Sequence, residues 1–353
     1  MQTIRVTTAK PYDVVIGKGL LAEAPARIAA IAKTNRVMLV SDDVVYPLYG
    51  RALQKALTDA GFTVETFAFP NGEASKRLST VESLLEQMAE QHFGRSDLIL
   101  ALGGGVVGDM AGFAAAVYAR GIGFVQLPTT LLAAVDSSVG GKTAVDLAGG
   151  KNLCGAFHQP RLVLCDTDTL ATLAPLQVCD GLAEMLKYGV ICDADLFEQV
   201  KNYKTADMEA LIARCVEIKR DVVAEDEFDR GKRMLLNLGH TVGHAIEAAS
   251  DFSVTHGHGV AIGMAIIARA AEKKGMAKAG TAKAIEDALF ACGLPTETDR
   301  DPETLATLTL SDKKTDGDSI HLIVPHAIGD TGMHKVPKNE ILDFIKAGSS
   351  WTY

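Results

Sequence analysis

Short runs of branched and apolar residues recur between helix-like stretches over the first half of the chain. This alternation limits the fold more than any other feature of the sequence. The runs cover residues 13–16, 36–40, 62–69, 97–102, 123–127 and 161–165, after an alternating start at residues 1–6. Strands and helices in alternation predict a mostly parallel sheet with helices on its faces. After Pro175 the period changes. Residues 178–191, 207–226, 238–249, 260–274 and 281–292 carry helical spacing, with little strand character until residues 320–324. The expected architecture is an α/β nucleotide-binding domain with a Rossmann-like parallel sheet over residues 1–174, then a mainly α-helical domain over residues 175–353. A chain of 353 residues has the length for two domains. No linker or low-complexity tract separates them, so a ligand cleft is expected between tightly packed halves.

Charge and composition exclude several classes of function. The net charge of −9 argues against a nucleic-acid binder, whose footprint would be basic, and means that any anionic ligand needs a local cluster of cations. No apolar stretch approaches the roughly 18 residues of a membrane span. The N-terminus lacks the charged-then-apolar layout of a secretion signal, so the expected location is the cytosol. The six cysteines, Cys154, Cys165, Cys179, Cys192, Cys215 and Cys292, contain no C-x-x-C pair, which leaves no disulfide framework and no thiolate zinc site to predict.

Two local patterns carry chemistry. The apolar run Leu98–Leu102 leads directly into Gly103-Gly104-Gly105-Val106-Val107-Gly108-Asp109, a literal G-x-G-x-x-G between a strand and a helix. Such glycines let backbone approach a pyrophosphate at a helix N-terminus. The loop lies about 100 residues into the chain, however, and Asp109 follows at once instead of a ribose-binding acid about 20 residues later. A nucleotide cradle and a plain tight turn both remain open on this motif alone. The second pattern is His240 and His244, four apart and therefore on one helix face, with His256 and His258 shortly after. A metal centre and a pair of hydrogen-bonded helix histidines are both compatible with it. Thr241 stands where a zinc-protease motif needs glutamate.

Further motifs narrow the choice. They are Asn71-Gly72-Glu73-Ala74-Ser75-Lys76, the segment from Leu127-Pro128-Thr129-Thr130 through Asp136 to Gly140-Gly141-Lys142-Thr143, Gly150-Lys151-Asn152, and Gly181-Leu182-Ala183-Glu184-Met185-Leu186-Lys187. Leu236-Asn237-Leu238-Gly239-His240-Thr241-Val242-Gly243-His244, His256-Gly257 and Ser311-Asp312-Lys313-Lys314 follow in the same order. Together they resemble the dehydroquinate synthase family over nearly the whole chain. The resemblance implies a zinc- and NAD-dependent lyase of the shikimate pathway, a homodimer acting on a sugar-acid phosphate.

The resemblance also implies roles. Asp42, Asn71, Gly72, Glu73, Ala74, Ser75 and Lys76 would lie near the adenosine of NAD. Gly104, Gly105, Val106, Val107, Gly108 and Asp109 would meet its pyrophosphate, with Thr129, Thr130, Lys142, Lys151, Thr169, Leu170, Ala171 and Thr172 around them. Glu184, His240 and His256 would hold zinc, or a related ion such as cobalt, leaving an open position for substrate hydroxyls. His244 would bind or move protons at the substrate. Arg233 and Lys219 would face its carboxylate, and Lys142, Asn152, Lys187 and Lys314 its phosphate. Asp136 and Asn237 belong to the same implied set, and Arg120 would reach across a dimer interface. Gln177, Asp229 and His258 depart from the family pattern, each at a place where glutamate is common.

Overall fold

The computed structural model of the protein describes residues 1–311, 315–316 and 318–349. Its strands are β1 (Gln2–Val6), β2 (Tyr12–Gly17), β3 (Arg36–Asp42), β4 (Thr63–Phe69), β5 (Leu98–Gly103), β6 (Gly123–Pro128), β7 (Lys142–Leu147), β8 (Gly150–Phe157), β9 (Leu162–Asp166), β10 (Thr315–Asp316), β11 (Ser319–Ala327) and β12 (Asp330–Pro337). Its α-helices are α1 (Leu20–Ala29), α2 (Arg51–Asp59), α3 (Leu78–Glu90), α4 (Gly105–Val117), α5 (Pro175–Cys192), α6 (Ala194–Lys201), α7 (Met208–Glu225), α8 (His240–Ala249), α9 (His256–Lys273), α10 (Thr281–Ala291), α11 (Pro302–Ser311) and α12 (Ile341–Gly348).

Two compact units emerge. One comprises Met1–Ala174 with Val216–Phe228, the other Pro175–Cys215 with Asp229–Tyr353, so α7 contributes to both. The first is built on a seven-stranded sheet in the order β1-β2-β9-β6-β5-β3-β4, parallel except for β1 against β2. Its central strands β5, β6 and β9 are buried at every residue, as strands covered on both faces must be. Successive side chains alternate between faces. Val37 and Leu39 join Leu20, Ile28, Leu53 and Leu57 of α1 and α2 in one apolar cluster. Met38 and Val40 join Val81, Leu84, Val107 and Met110 of α3 and α4 in the other.

The second unit is mainly helical, as expected, and glycines govern how its helices meet. A Cβ on Gly263 of α9 would lie 2.0 Å from the carbonyl oxygen of Gly239, and one on Gly243 of α8 would lie 2.8 Å from that of Gly259. Gly239 itself has φ 79°, a conformation natural to glycine. A Cβ on Gly257 would meet the Asp180 backbone at 2.3 Å, so the first turn of α9 rests directly on α5. These contacts bring Glu184, His240 and His256 together.

The structure adds elements that residue patterning did not predict. Strands β7 and β8 form an antiparallel hairpin within the Gly140–Asn152 motifs, and β12 pairs antiparallel with β11. The first hairpin is interrupted by Gly149, Gly150 and Gly155 and the second by Gly329, Gly332 and three histidines, which weakens their alternation. Helix α9 begins at His256, four residues before the expected start, because its first turn contains Gly257 and Gly259 in place of apolar periodicity. No helix among the described residues is long and apolar enough to cross a membrane.

We expect Gly263→Ala to destabilise the protein by about 1–3 kcal/mol, since the added methyl must displace backbone rather than a flexible side chain. Urea denaturation measures this; an unchanged midpoint would show that α8 and α9 have room to separate.

Candidate metal and nucleotide sites

In the first unit the glycine loop joins β5 to α4, and its backbone is held close. A Cβ would meet Val107 at 2.5 Å from Gly103, Thr130 at 3.1 Å from Gly104, Ser137 at 3.1 Å from Gly105 and Gln126 at 2.7 Å from Gly108. The Gly103 carbonyl accepts the Thr129 amide at 2.9 Å. No side chain caps the start of α4, and the Thr129 hydroxyl is buried without a partner. The amides of Gly105, Val106 and Val107 therefore form an approachable helix N-terminus suited to an anion.

Around this loop the implied nucleotide residues form a connected polar network. Asp42 ends β3. Its Oδ1 accepts the amides of Val44 and Val45 at 3.0 and 2.7 Å, and its Oδ2 accepts the Asn71 side chain at 3.0 Å. Gly72, at φ 107°, opens the 3-10 turn of Glu73, Ala74 and Ser75, and Glu73 pairs with Lys151 at 3.1 Å. Lys76 is buried, with Nζ 2.7 Å from Asp109 Oδ2 and 2.6 Å from Asn152 Oδ1. Burial opposes its charge, but Asp109, Glu73 and Asp146 outweigh this and raise its pKa. Lys76 thereby ties α4 to β8.

Thr130 accepts the Ala133 amide at 3.2 Å. In the 3-10 segment containing Leu170 and Ala171, the Thr169 hydroxyl donates to the Asp166 carbonyl at 2.7 Å, while Thr172 meets the Tyr49 hydroxyl at 2.6 Å. Lys219 of α7 reaches the Asp136 carbonyl at 2.6 Å and its Oδ1 at 3.0 Å. Lys142 opens β7. Arg120 and Asn152 both have positive φ, 65° and 53°, which is uncommon outside glycine and has a conformational cost.

In the second unit the dominant feature is a buried charge. Glu184 lies on α5 with its side chain 0% exposed, so its carboxylate depends on the charged and ring groups packed around it. Its Oε2 rests against the Lys187 ammonium, and its Oε1 lies 3.4 Å from Nε2 of both His240 and His256. The other ring nitrogens are committed: His240 Nδ1 contacts the Leu238 carbonyl at 3.2 Å, and His256 Nδ1 contacts Glu247 Oε1 at 2.9 Å. Both imidazoles thus direct Nε2 towards one carboxylate, the orientation that outer partners commonly impose on metal-bound histidines. Desolvation disfavours the His256 cation, but the hydrogen bonds and charges of Glu184 and Glu247 outweigh it and push the pKa up to about 10. The donor set fits a divalent cation well.

His244 lies beside this cluster, its ring centroid 5.5 Å from that of His240 and 5.8 Å from that of His256. Geometry also allows a second grouping, His244 with Glu247 and His256. Arg233 is buried in the 3-10 turn that precedes α8, and Asn237 at the end of that turn donates to the Met234 carbonyl at 2.9 Å. Lys314 lies outside the described residues.

Two residues of this site escaped sequence reasoning. Glu247 follows His240 and His244 at helical spacing on one face of α8, so the signal was present. Asp180 precedes Glu184 by four residues on α5; it accepts the Thr255 hydroxyl at 2.6 Å and contacts His258 Nδ1 at 2.9 Å, fastening the start of α9. His258 faces Asp180 there, where the family pattern commonly has glutamate.

Comparison with known proteins decides the family. The profile described as 3-dehydroquinate synthase N-terminal matches residues 66–180, and that described as 3-dehydroquinate synthase C-terminal matches residues 181–315. The chain belongs to the 3-dehydroquinate synthase family. A 3-dehydroquinate synthase of Streptococcus suis is 44% identical over 347 residues, 95% of this chain and 97% of that protein. A crystal structure of 2-deoxy-scyllo-inosose synthase with carbaglucose-6-phosphate, NAD+ and Co2+ superposes with a TM-score of 0.89 at 29% identity, covering 98% of this chain and all of that one. The 2-epi-5-epi-valiolone synthase of Streptomyces hygroscopicus, with NAD+ and Zn2+ bound, gives 0.87 at 27% identity and 98% coverage of each chain. The protein is accordingly a phosphate-eliminating lyase of the sugar-phosphate cyclase type, in the shikimate pathway.

Metal uptake should release a proton near neutral pH, because coordination requires neutral His256 while the carboxylates hold it charged up to about pH 10. Affinity should therefore rise with pH across that range. Calorimetry in two buffers of different ionisation enthalpy detects the proton; identical heats would contradict it. Glu247→Gln should weaken metal binding about 10–100-fold, as loss of an outer carboxylate does, measured by competition with a chelator.

Proposed function

We propose that the protein converts 3-deoxy-D-arabino-heptulosonate 7-phosphate into 3-dehydroquinate and inorganic phosphate. The observation that carries this reading is the buried Glu184 carboxylate facing two oriented imidazoles, in a chain that also contains the glycine loop. Glu184, His240 and His256 would hold a divalent metal such as zinc or cobalt, and the Gly104–Asp109 loop would take the pyrophosphate of NAD. When bound, the metal supplies Lewis acidity that makes the C5 hydroxyl of the substrate easier to deprotonate, and NAD supplies a reversible hydride acceptor.

The chain's own residues position and neutralise the substrate. Arg233, whose planar fork suits a carboxylate, and Lys219 bind the acid end. Lys142, Asn152, Lys187 and Lys314 bind the phosphate, and Asp136 holds Lys219 in place. His244 stands beside the metal group, where it transfers protons at the substrate hydroxyls, and Asn237 orients the same region. Once C5 is oxidised, the C6 hydrogen becomes acidic and phosphate leaves by β-elimination, the leaving phosphate acting as base. Reduction at C5, ring opening and an intramolecular aldol addition complete the carbocycle. Retaining one intermediate throughout supplies the proximity these steps need. The protein would be cytosolic and homodimeric, with Arg120 reaching the partner's substrate.

With NAD far below substrate, phosphate should be released over many turnovers while free NADH stays undetectable, and metal removal should stop the release. Stoichiometric NADH without phosphate would indicate a polyol dehydrogenase. A cyclitol product would indicate a sister cyclase. Arg233→Ala should weaken substrate binding by about 1.5–3 kcal/mol, the scale of a lost charged contact, with NAD affinity nearly unchanged. Separate titrations of the two ligands test this, and a loss confined to NAD would move Arg233 to the cofactor.

A further inference from the structure

The β11–β12 hairpin carries a pair of histidines outside every residue assigned above. The Nε2 atoms of His326 and His334 lie 2.9 Å apart, with ring planes at 89° and centroids 5.2 Å apart. The strand register shifts between Pro325 and Ala327, so His326 sits at an irregularity instead of in the ladder. Gly332, which pairs with Val324, is equally telling: a Cβ there would lie 2.6 Å from His326 Cε1, 2.9 Å from its Nε2 and 3.4 Å from His334 Nε2. The absence of a side chain keeps open the place where the two nitrogens converge.

We propose that His326 and His334 form a second transition-metal site, taking copper(II) or nickel(II) with water in the remaining positions. The nitrogen separation decides between metals. Two metal–nitrogen bonds of about 2.0–2.1 Å span about 2.9 Å at a right angle and about 3.4 Å at the tetrahedral angle. The 2.9 Å contact is a ring-to-ring hydrogen bond in the metal-free protein, and an ion replacing that proton spans the two nitrogens at close to this separation when its geometry is tetragonal, as for copper(II) and nickel(II). Both rings are partly exposed and accessible to an ion. The Asp330 carboxylate, 3.7 Å from His326 Nδ1, adds negative charge on the far side of that ring. This site differs in chemistry from the Glu184 group, which combines a carboxylate with two imidazoles.

The test uses the full-length, zinc-loaded protein, equilibrium dialysis against copper(II), and electron paramagnetic resonance of the bound ion. Zinc retained on the protein is measured alongside. The wild type should gain one copper without losing zinc, with coupling to two nitrogens in its spectrum. His326→Gln, His334→Gln and Gly332→Ala should each lose that equivalent and that spectrum, while phosphate-releasing turnover stays at the wild-type level. Gly332→Ala keeps both histidines in the chain but crowds the His326 ring, so its loss reports the shape of the site. The proposal is overturned if the wild type gains no copper, if zinc leaves mole for mole as copper enters, or if the variants bind copper with an unchanged spectrum.

Discussion

A carboxylate taken out of water is among the least favourable groups a fold can contain, and Glu184 is such a group. One ammonium, that of Lys187, rests against it, and two imidazoles present their Nε2 atoms to its other oxygen. Breaking a buried ion pair is costly because the surviving charge has no water to turn to. A divalent cation at this point would satisfy all three protein groups at once. The rest of the second unit can be understood as the means of holding them there.

That means is close backbone contact. Gly243, Gly257, Gly259 and Gly263 remove side chains where α8, α9 and α5 touch, and the first three lie within about three residues of His244 or His256. Asp180 and Glu247 then secure the result by hydrogen bonds, the first to Thr255 at the start of α9 and the second to His256. Two helix faces are used in the same way: Asp180, Glu184 and Lys187 along α5, and His240, His244 and Glu247 along α8. In each case residues at helical spacing supply a partner from one helix to a charged or ring nitrogen group nearby. In the first unit the equivalent economy is in the glycine loop, where closeness of backbone to Val107, Thr130, Ser137 and Gln126 leaves the start of α4 bare.

Much of this was legible in the residues. The parallel sheet followed from branched runs separated by helical spacing, because buried parallel strands have a distinctive composition. The loop after β5 and the histidine spacing both stand out in the sequence, although neither motif alone distinguishes ligand binding from packing. The order and number of motifs favour binding, through family resemblance. The β7–β8 hairpin was hidden because its glycines and lysines read as ligand contacts and not as strand residues. Glu247 was missed because a glutamate on a helix ordinarily faces solvent, whereas this one is 1% exposed. Spacing shows which residues share a face; it does not show which face is buried.

The central claim is that Glu184, His240 and His256 together hold the metal. Anomalous diffraction from crystals grown with cobalt or zinc, recorded at the absorption edge of the ion, tests it most directly. The account predicts one strong peak within bonding distance of the Glu184 carboxylate and of Nε2 on both histidines. A peak held instead by His244, Glu247 and His256, with Glu184 left unliganded, would contradict it.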